Sequence, residues 1–155
     1  MNKKRSRQGA GMVDVSSKKV TKRTAVASAS IRMGPRAFRA FRRGESPKGD
    51  ILETARVAGV MAAKATPRII PFCHPLELNK VNIRFQIATK DSMITIIAET
   101  VYRGRTGVEM EALSAVTAAA LTVYDMMKWA DKGMVISDIK LLAKRGGKSG
   151  DYQRR

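Results

Sequence analysis

The run from Gly107 to Lys128, GVEMEALSAVTAAALTVYDMMK, constrains the fold of this chain more than any other segment. It is long enough for about six helical turns and is rich in Ala, Val and Leu, so it predicts a largely buried helix. Nevertheless it carries Glu109, Glu111, Asp125 and Lys128 near its two ends. A buried carboxylate costs free energy unless it is paired or used in chemistry. These four groups therefore form a candidate site, although acids at a helix start and a lysine at its end also suit the helix dipole.

The composition predicts one globular domain without disulfides. The chain has 155 residues, of which 44% are hydrophobic and 5% aromatic, so its core must be mainly aliphatic. Its single cysteine, Cys73, excludes a disulfide framework and predicts a cytoplasmic location. No stretch approaches the roughly 20 apolar residues of a membrane span, and the basic start is followed by no apolar signal segment.

The net charge of +17 is concentrated toward the N-terminus. Residues 1–43 hold thirteen of the thirty basic residues and a single acid, Asp14. This asymmetry favours a nucleic-acid partner, and the rival explanation is an anionic small substrate together with a solvated basic arm. We expect residues 1–11 to be a disordered basic arm and residues 12–155 to form the single domain.

Hydrophobic periodicity predicts the element order strand, helices, strand, strand, helix, strand. Alternating apolar residues predict strands over 24–33, 80–87, 92–101 and 134–142. Helical patterns cover 36–43, 51–64 (with Asp50 as the N-cap) and 107–131. This is the β-α-β-β-α-β order of a ferredoxin-like α+β domain, whose antiparallel sheet packs against helices on one face.

The glycine-rich segment GGKSG at 146–150 is not a P-loop. A P-loop needs a glycine five residues before Gly147, where this chain has Leu142, and it also needs a helix to follow. The glycines still allow backbone amides to approach an anion, and a flexible solvated tail is the equally open alternative.

Two further positions carry possible chemistry. His74 is the only histidine, and no second Cys or His completes a zinc set with Cys73, so no metal site is expected. His74 is either catalytic or structural. Lys48 precedes a predicted helix start, where the dipole favours loss of its proton, but most lysines at such positions have no chemical role. Because stacking aromatic motifs are missing, the case for nucleic acid depends on the basic arm alone.

Five segments, taken together and in one order, resemble a known family. They are MVDVS at 12–16, KGDILETARVAGVMAAK at 48–64, IIPFCHPLEL at 69–78, TGVEMEALSAVTAAALTVYDMMK at 106–128 and LLAKRGGKSGD at 141–151. This set is similar to the molybdenum-cofactor biosynthesis protein C family, the cyclic pyranopterin monophosphate synthases. The resemblance covers roughly residues 12–151.

The resemblance implies a lyase that converts a cyclised 7,8-dihydro-GTP, made by a radical-SAM enzyme, to cyclic pyranopterin monophosphate with release of pyrophosphate. It implies Asp125 as the catalytic acid–base residue, with Lys48 and Lys128 as functional lysines. The substrate-binding positions it implies are Phe72, Cys73, His74, Glu109, Met110, Glu111, Asp14, Arg23, Lys64 and Lys144. No cofactor is implied beyond a possible divalent ion on the triphosphate, and neither membrane nor nucleic acid is an expected partner.

Spacing along the long helix adds two expectations. Asp125 and Lys128 share a helix face, so the cation should keep the carboxylate ionised, while a lysine desolvated among other cations should lose its proton more easily. Glu111 and Asp125 are separated by about 21 Å along the axis, too far for one nucleotide-sized ligand to bridge. The active sites should therefore lie at a subunit interface of a homo-oligomer, and the resemblance implies a hexamer built as a trimer of dimers.

Overall fold

The computed structural model describes residues 9–155. The chain forms a five-stranded antiparallel sheet that is covered by helices on one face. Its elements are β1 (Thr21–Arg32), α1 (Pro35–Arg42), α2 (Ile51–Ile69), β2 (Lys80–Ala88), β3 (Met93–Gly104), α3 (Glu109–Met127), β4 (Val135–Arg145) and β5 (Tyr152–Gln153). The strand order is β2-β3-β1-β4-β5, and every neighbouring pair is antiparallel. The first four strands have the ferredoxin-like arrangement, so the predicted fold class is confirmed.

Small side chains bring the two long helices close to the sheet and to each other. On β1, Ala25, Ala27 and Ala29 are completely buried and lie opposite Thr100, Ala98 and Ile96 of β3. α3 contributes a matching set of fully buried residues, Ala112, Ala115, Val116, Ala119, Ala120 and Val123. Where α2 crosses α3, a Cβ at Gly59 would lie 2.9 Å from the carbonyl oxygen of Ala115. This close contact fixes the register of α2 on α3.

The long helices differ from their predicted bounds. α2 continues past residue 64, its predicted end, to Ile69, and it includes Pro67. A proline in the last turn removes only one helical hydrogen bond, and the Ile70 N–H still donates to the Thr66 carbonyl at 2.9 Å. α3 ends at Met127 rather than near residue 131, because residues 128–130 form a turn.

The glycine-rich C-terminal segment folds back onto the sheet and is not a free tail. Gly146 and Gly147 have φ of 87° and 96°, and the chain then returns to pair β5 with β4. β5 was not predicted, because a two-residue strand carries no detectable periodicity.

The predicted basic arm falls mostly outside the described part of the chain. Residues 1–8 of the predicted disordered arm lie outside the described residues, and residues 9–11 belong to neither a helix nor a strand. Within residues 9–155, no helix has the length and apolar character needed to cross a membrane.

Candidate active site

A tight loop between α1 and α2 positions Lys48. Gly44 and Gly49 both have positive φ, at 70° and 94°, which lets the chain reverse between the helices. The Asp50 carboxylate then accepts a hydrogen bond from the Glu53 N–H at 2.9 Å and caps α2, as predicted. Ser46 connects the loop to the end of α3 through a hydrogen bond that its hydroxyl donates to the Met126 carbonyl at 3.5 Å.

Asp125 near the end of α3 bridges two lysine side chains. Its Oδ2 lies 2.6 Å from Nζ of Lys48, and its Oδ1 lies 2.8 Å from Nζ of Lys128. About half of each side chain is exposed, so the group is accessible to a ligand. We call Lys48, Asp125 and Lys128 the carboxylate–lysine cluster. The sequence-predicted catalytic residues are thus brought together, although the first two are 77 residues apart.

The cluster fixes the charge of its members. Hydrogen bonds from Lys128 and Lys48 lower the pKa of Asp125 to about 2, so the carboxylate is ionised at neutral pH. The same hydrogen bond to Asp125 raises the pKa of Lys128. This direction is opposite to the expectation that a lysine among cations would lose its proton easily, because Lys128 is exposed and faces an anion. Lys128 is therefore held in its charged, protonated form.

A cleft of about 420 Å³ opens at the other end of α3. All six residues of the two predicted substrate-binding segments line it: Phe72, Cys73, His74, Glu109, Met110 and Glu111. Asp14 lies between Val13 and Val15, which both line the cleft, but Asp14 itself does not line it. The hydrogen bond that the Ser16 N–H donates to its carboxylate at 2.8 Å lowers the pKa of Asp14, with a smaller effect from His74. The loop from α2 to β2 and the start of α3 thus build one surface.

Glu111 is a buried carboxyl group in the wall of this cleft. Its residue surface is only 3% exposed, and burial raises the pKa of its carboxyl to about 7, with a smaller contribution from the nearby Glu109. Burial also raises the pKa of the Cys73 thiol, with the charge of Glu111 adding to the effect. A carboxyl that titrates near neutrality suits proton exchange with a bound molecule.

Substituting Glu111→Gln should stabilise the chain at alkaline pH. In the unfolded chain the pKa of the Glu111 carboxyl is 4.5, whereas in the folded chain it is about 7. The native state therefore binds more protons in this window, so wild-type stability falls as pH rises through it, by up to roughly 3 kcal/mol. Urea unfolding at pH 5 and pH 8 should show a smaller fall for Glu111→Gln. The exposed Glu77→Gln is the control, and an equal fall in all three proteins would contradict the assignment.

A smaller, cationic cleft of about 150 Å³ adjoins the first, and both are lined by Lys18, Thr106, Gly107 and Glu109. Five basic residues line it against one acid, Glu109: Lys18, Arg23, Arg105, Lys144 and Arg145. Lys144 Nζ lies 3.1 Å from Glu109 Oε1 and also donates to the Ser149 hydroxyl at 3.1 Å. The C-terminal glycine loop closes this side.

Arg23 contributes a nearly buried guanidinium to the wall of the cationic cleft. The residue is only 9% exposed, and its Nε is buried without a hydrogen-bond partner among the described residues. A Cβ at Gly147 would overlap the Arg23 guanidinium, so glycine is required where the loop passes it. An unpartnered buried guanidinium nitrogen is costly, and a phosphate oxygen is a suitable partner for it.

Of the predicted substrate-binding residues, Asp14 and Lys64 line neither cleft. Lys64 is exposed on α2. Lys18, Arg105 and Ser149 line the cationic cleft but were missed by the sequence analysis. Their signal is weak, because a lone basic or hydroxyl residue beside a motif has no characteristic spacing.

The carboxylate–lysine cluster and the two clefts stand at opposite ends of α3. From Glu111 to Asp125 the helix rises about 21 Å, so one chain does not present both to one small ligand. Within residues 9–155, no three Cys, His, Asp or Glu side chains gather closely enough to hold a metal ion.

Comparison with known proteins identifies relatives over nearly the whole chain. The MoaC family model matches residues 12–147. A cyclic pyranopterin monophosphate synthase of Methylobacterium sp. (strain 4-46) is 54% identical over 143 residues, covering 92% of this chain and 89% of that protein. Proteins of the same name from Peptoclostridium acidaminophilum and Heliobacterium modesticaldum are 52% and 53% identical, each over 94% of this chain and over 91% and 92% of their own.

Proposed function

The chain belongs to the MoaC family, and from this premise we propose that it is a cyclic pyranopterin monophosphate synthase, a lyase of molybdenum cofactor biosynthesis. Its substrate is the cyclised 7,8-dihydro-GTP that a radical-SAM enzyme supplies in the cytoplasm, and its products are cyclic pyranopterin monophosphate and pyrophosphate. The relatives of more than 50% identity over nine-tenths of the chain support this activity.

The observation that carries the proposal is the carboxylate–lysine cluster. Rearranging a purine-derived ring to a pterin requires several proton transfers, and Asp125 holds two ammonium groups within 3 Å of its oxygens. Lys128 is kept protonated by Asp125, and it would donate this proton to a leaving nitrogen or oxygen once the substrate displaces Asp125, because its pKa is raised only while that hydrogen bond is present. Asp125 accepts a proton once a substrate group replaces one of its lysine hydrogen bonds. Lys48 donates a hydrogen bond to the other carboxylate oxygen, Oδ2, and balances the charge of Asp125 during this step.

The cationic cleft is the proposed triphosphate subsite. Its five basic residues, set against the single acid Glu109, favour a polyanion. During formation of the cyclic phosphate, a substrate hydroxyl attacks the α-phosphorus and the bond to the departing pyrophosphate breaks. Arg23 and Lys144 would neutralise the charge that develops on that leaving group. A divalent ion bound to the triphosphate would travel with the substrate.

We propose that a complete site combines two chains. The phosphate-binding cleft and the carboxylate–lysine cluster stand about 21 Å apart on α3, so each pocket takes the cleft from one subunit and the cluster from another. A homodimer is the minimum assembly, and a hexamer built as a trimer of dimers is the expected one.

The direct test is incubation of the purified protein with cyclised 7,8-dihydro-GTP. We expect stoichiometric formation of pyrophosphate and of the pterin, detected after oxidation by its fluorescence. Retained binding without product would point instead to a regulatory nucleotide-binding domain. A protein without residues 1–11 should keep this activity, whereas a nucleic-acid-binding module would lose its function with that deletion.

A further inference from the structure

Trp129 is the only tryptophan of the chain, and it directly follows Lys128 of the carboxylate–lysine cluster. It is 52% exposed, so half of a large aromatic surface faces solvent. Lys128 has helical φ and ψ of −61° and −18°, and the Asp131 N–H still donates to the Met127 carbonyl at 3.2 Å. Residues 128–130 thus form a turn that directly follows α3. Trp129 follows Asp125 by only four positions and Lys128 by one, so this turn holds it next to the carboxylate–lysine cluster along the chain.

The turn that carries Trp129 is fixed at both ends. Asp131 accepts hydrogen bonds from the backbone N–H groups of Gly34, at 2.8 Å, and Gly133, at 2.7 Å. The Tyr124 hydroxyl donates to the Lys132 carbonyl at 2.8 Å. Met127, which begins the turn, is completely buried. An aromatic ring on such an anchored turn loses little conformational entropy when it binds a ligand.

We propose that Trp129 stacks on the fused ring of the substrate and holds that ring against the carboxylate–lysine cluster. The proposal rests on the proposed function, because the ring whose atoms exchange protons with Asp125 and Lys128 must lie beside them. Stacking of a nucleobase-like ring on an aromatic side chain needs no particular hydrogen-bond pattern, so it remains effective while the ring is rearranged. Trp129 thus orients the reacting part of the substrate, and the cationic cleft binds its phosphates.

Fluorescence of the wild-type protein gives the first test, since a single tryptophan reports on one position. GTP should quench this fluorescence in a saturable way, whereas inorganic triphosphate, which has no ring, should not. Equal quenching by both would overturn the proposal, because the response would then follow phosphate binding. Protection of the indole from acrylamide without any nucleotide would also overturn it, by showing that a second copy of the chain covers Trp129.

Kinetics of two variants give the second test, after the wild type has been shown to form product. Trp129→Leu keeps an apolar side chain but no ring, and it should raise KM roughly tenfold while kcat changes little. Trp129→Phe should stay within about threefold of the wild-type KM, since a ring is retained. Far-UV circular dichroism checks that both fold.

Three results separate the possible failures. If the wild type forms no product, the proposed function fails. If it forms product and Trp129→Leu has the wild-type KM, stacking alone fails. An equal loss in the Leu and Phe variants would also contradict stacking, because it would indicate a requirement for the shape of the indole.

Discussion

Asp125→Asn is expected to lower kcat by roughly 10²–10⁴-fold, the usual contribution of a positioned acid–base group. The amide keeps the size of the side chain but loses the charge that holds Lys48 and Lys128 at its two oxygens. Both lysines would then be less firmly placed, and Lys128 would lose the hydrogen bond that raises its pKa. The measurement is the steady-state rate of pterin formation at saturating substrate.

Stability should hardly change in this variant. The Asp125 side chain is 47% exposed, and exposed ion pairs contribute little to the free energy of unfolding. Asp138→Asn is a matched control, because Asp138 is also exposed and pairs with a lysine, Lys140, at 3.7 Å. Its φ of 54° is one that asparagine tolerates well. Full activity of Asp125→Asn would contradict this prediction. It would show that the cluster is only a surface ion pair and that other residues carry out catalysis.

Mixing two inactive variants should restore activity if each site is built from two chains. Asp125→Asn impairs the cluster, and Glu111→Gln impairs the cleft. In a mixed dimer, one site carries both substitutions and the other carries neither. Random reassembly of equal amounts yields half mixed dimers, each with one intact site, so about a quarter of the wild-type activity should return.

The control for this experiment is each variant subjected alone to the same denaturation and reassembly. Both should stay inactive. A mixture that also stays inactive, although mass spectrometry shows mixed dimers, would contradict the shared site. In that case the cluster and the cleft would serve separate purposes, or each site would form within one chain.

Much of the fold could be predicted from the periodicity of hydrophobic residues, which can be read directly from the sequence. The alternation of Ala25, Ala27 and Ala29 with β-branched and polar neighbours defines β1, and the small apolar residues of α3 define a helix that must be buried. Pro67 misled the prediction of α2, because its cost depends on whether it falls in the last turn. β5 was missed because it is held by pairing with β4 rather than by its own residues.

The sequence by itself determined which residues we propose for the chemistry. The motifs resembling one family named Asp125, Lys48, Lys128 and the two segments that line the cleft. The residue spacing along α3 also separated the cluster from Glu111, since the rise of a helix is fixed by its backbone geometry.

Only the tertiary structure decided how those groups interact. Lys48 reaches Asp125, 77 residues away, because close packing at Gly59 sets α2 against α3 in one register. Burial raises the pKa of Glu111 to about 7, and the fold buries Arg23 Nε without a hydrogen-bond partner in residues 9–155. Each of these properties depends on the distance and solvent exposure of groups far apart in the chain, which local sequence patterns do not encode.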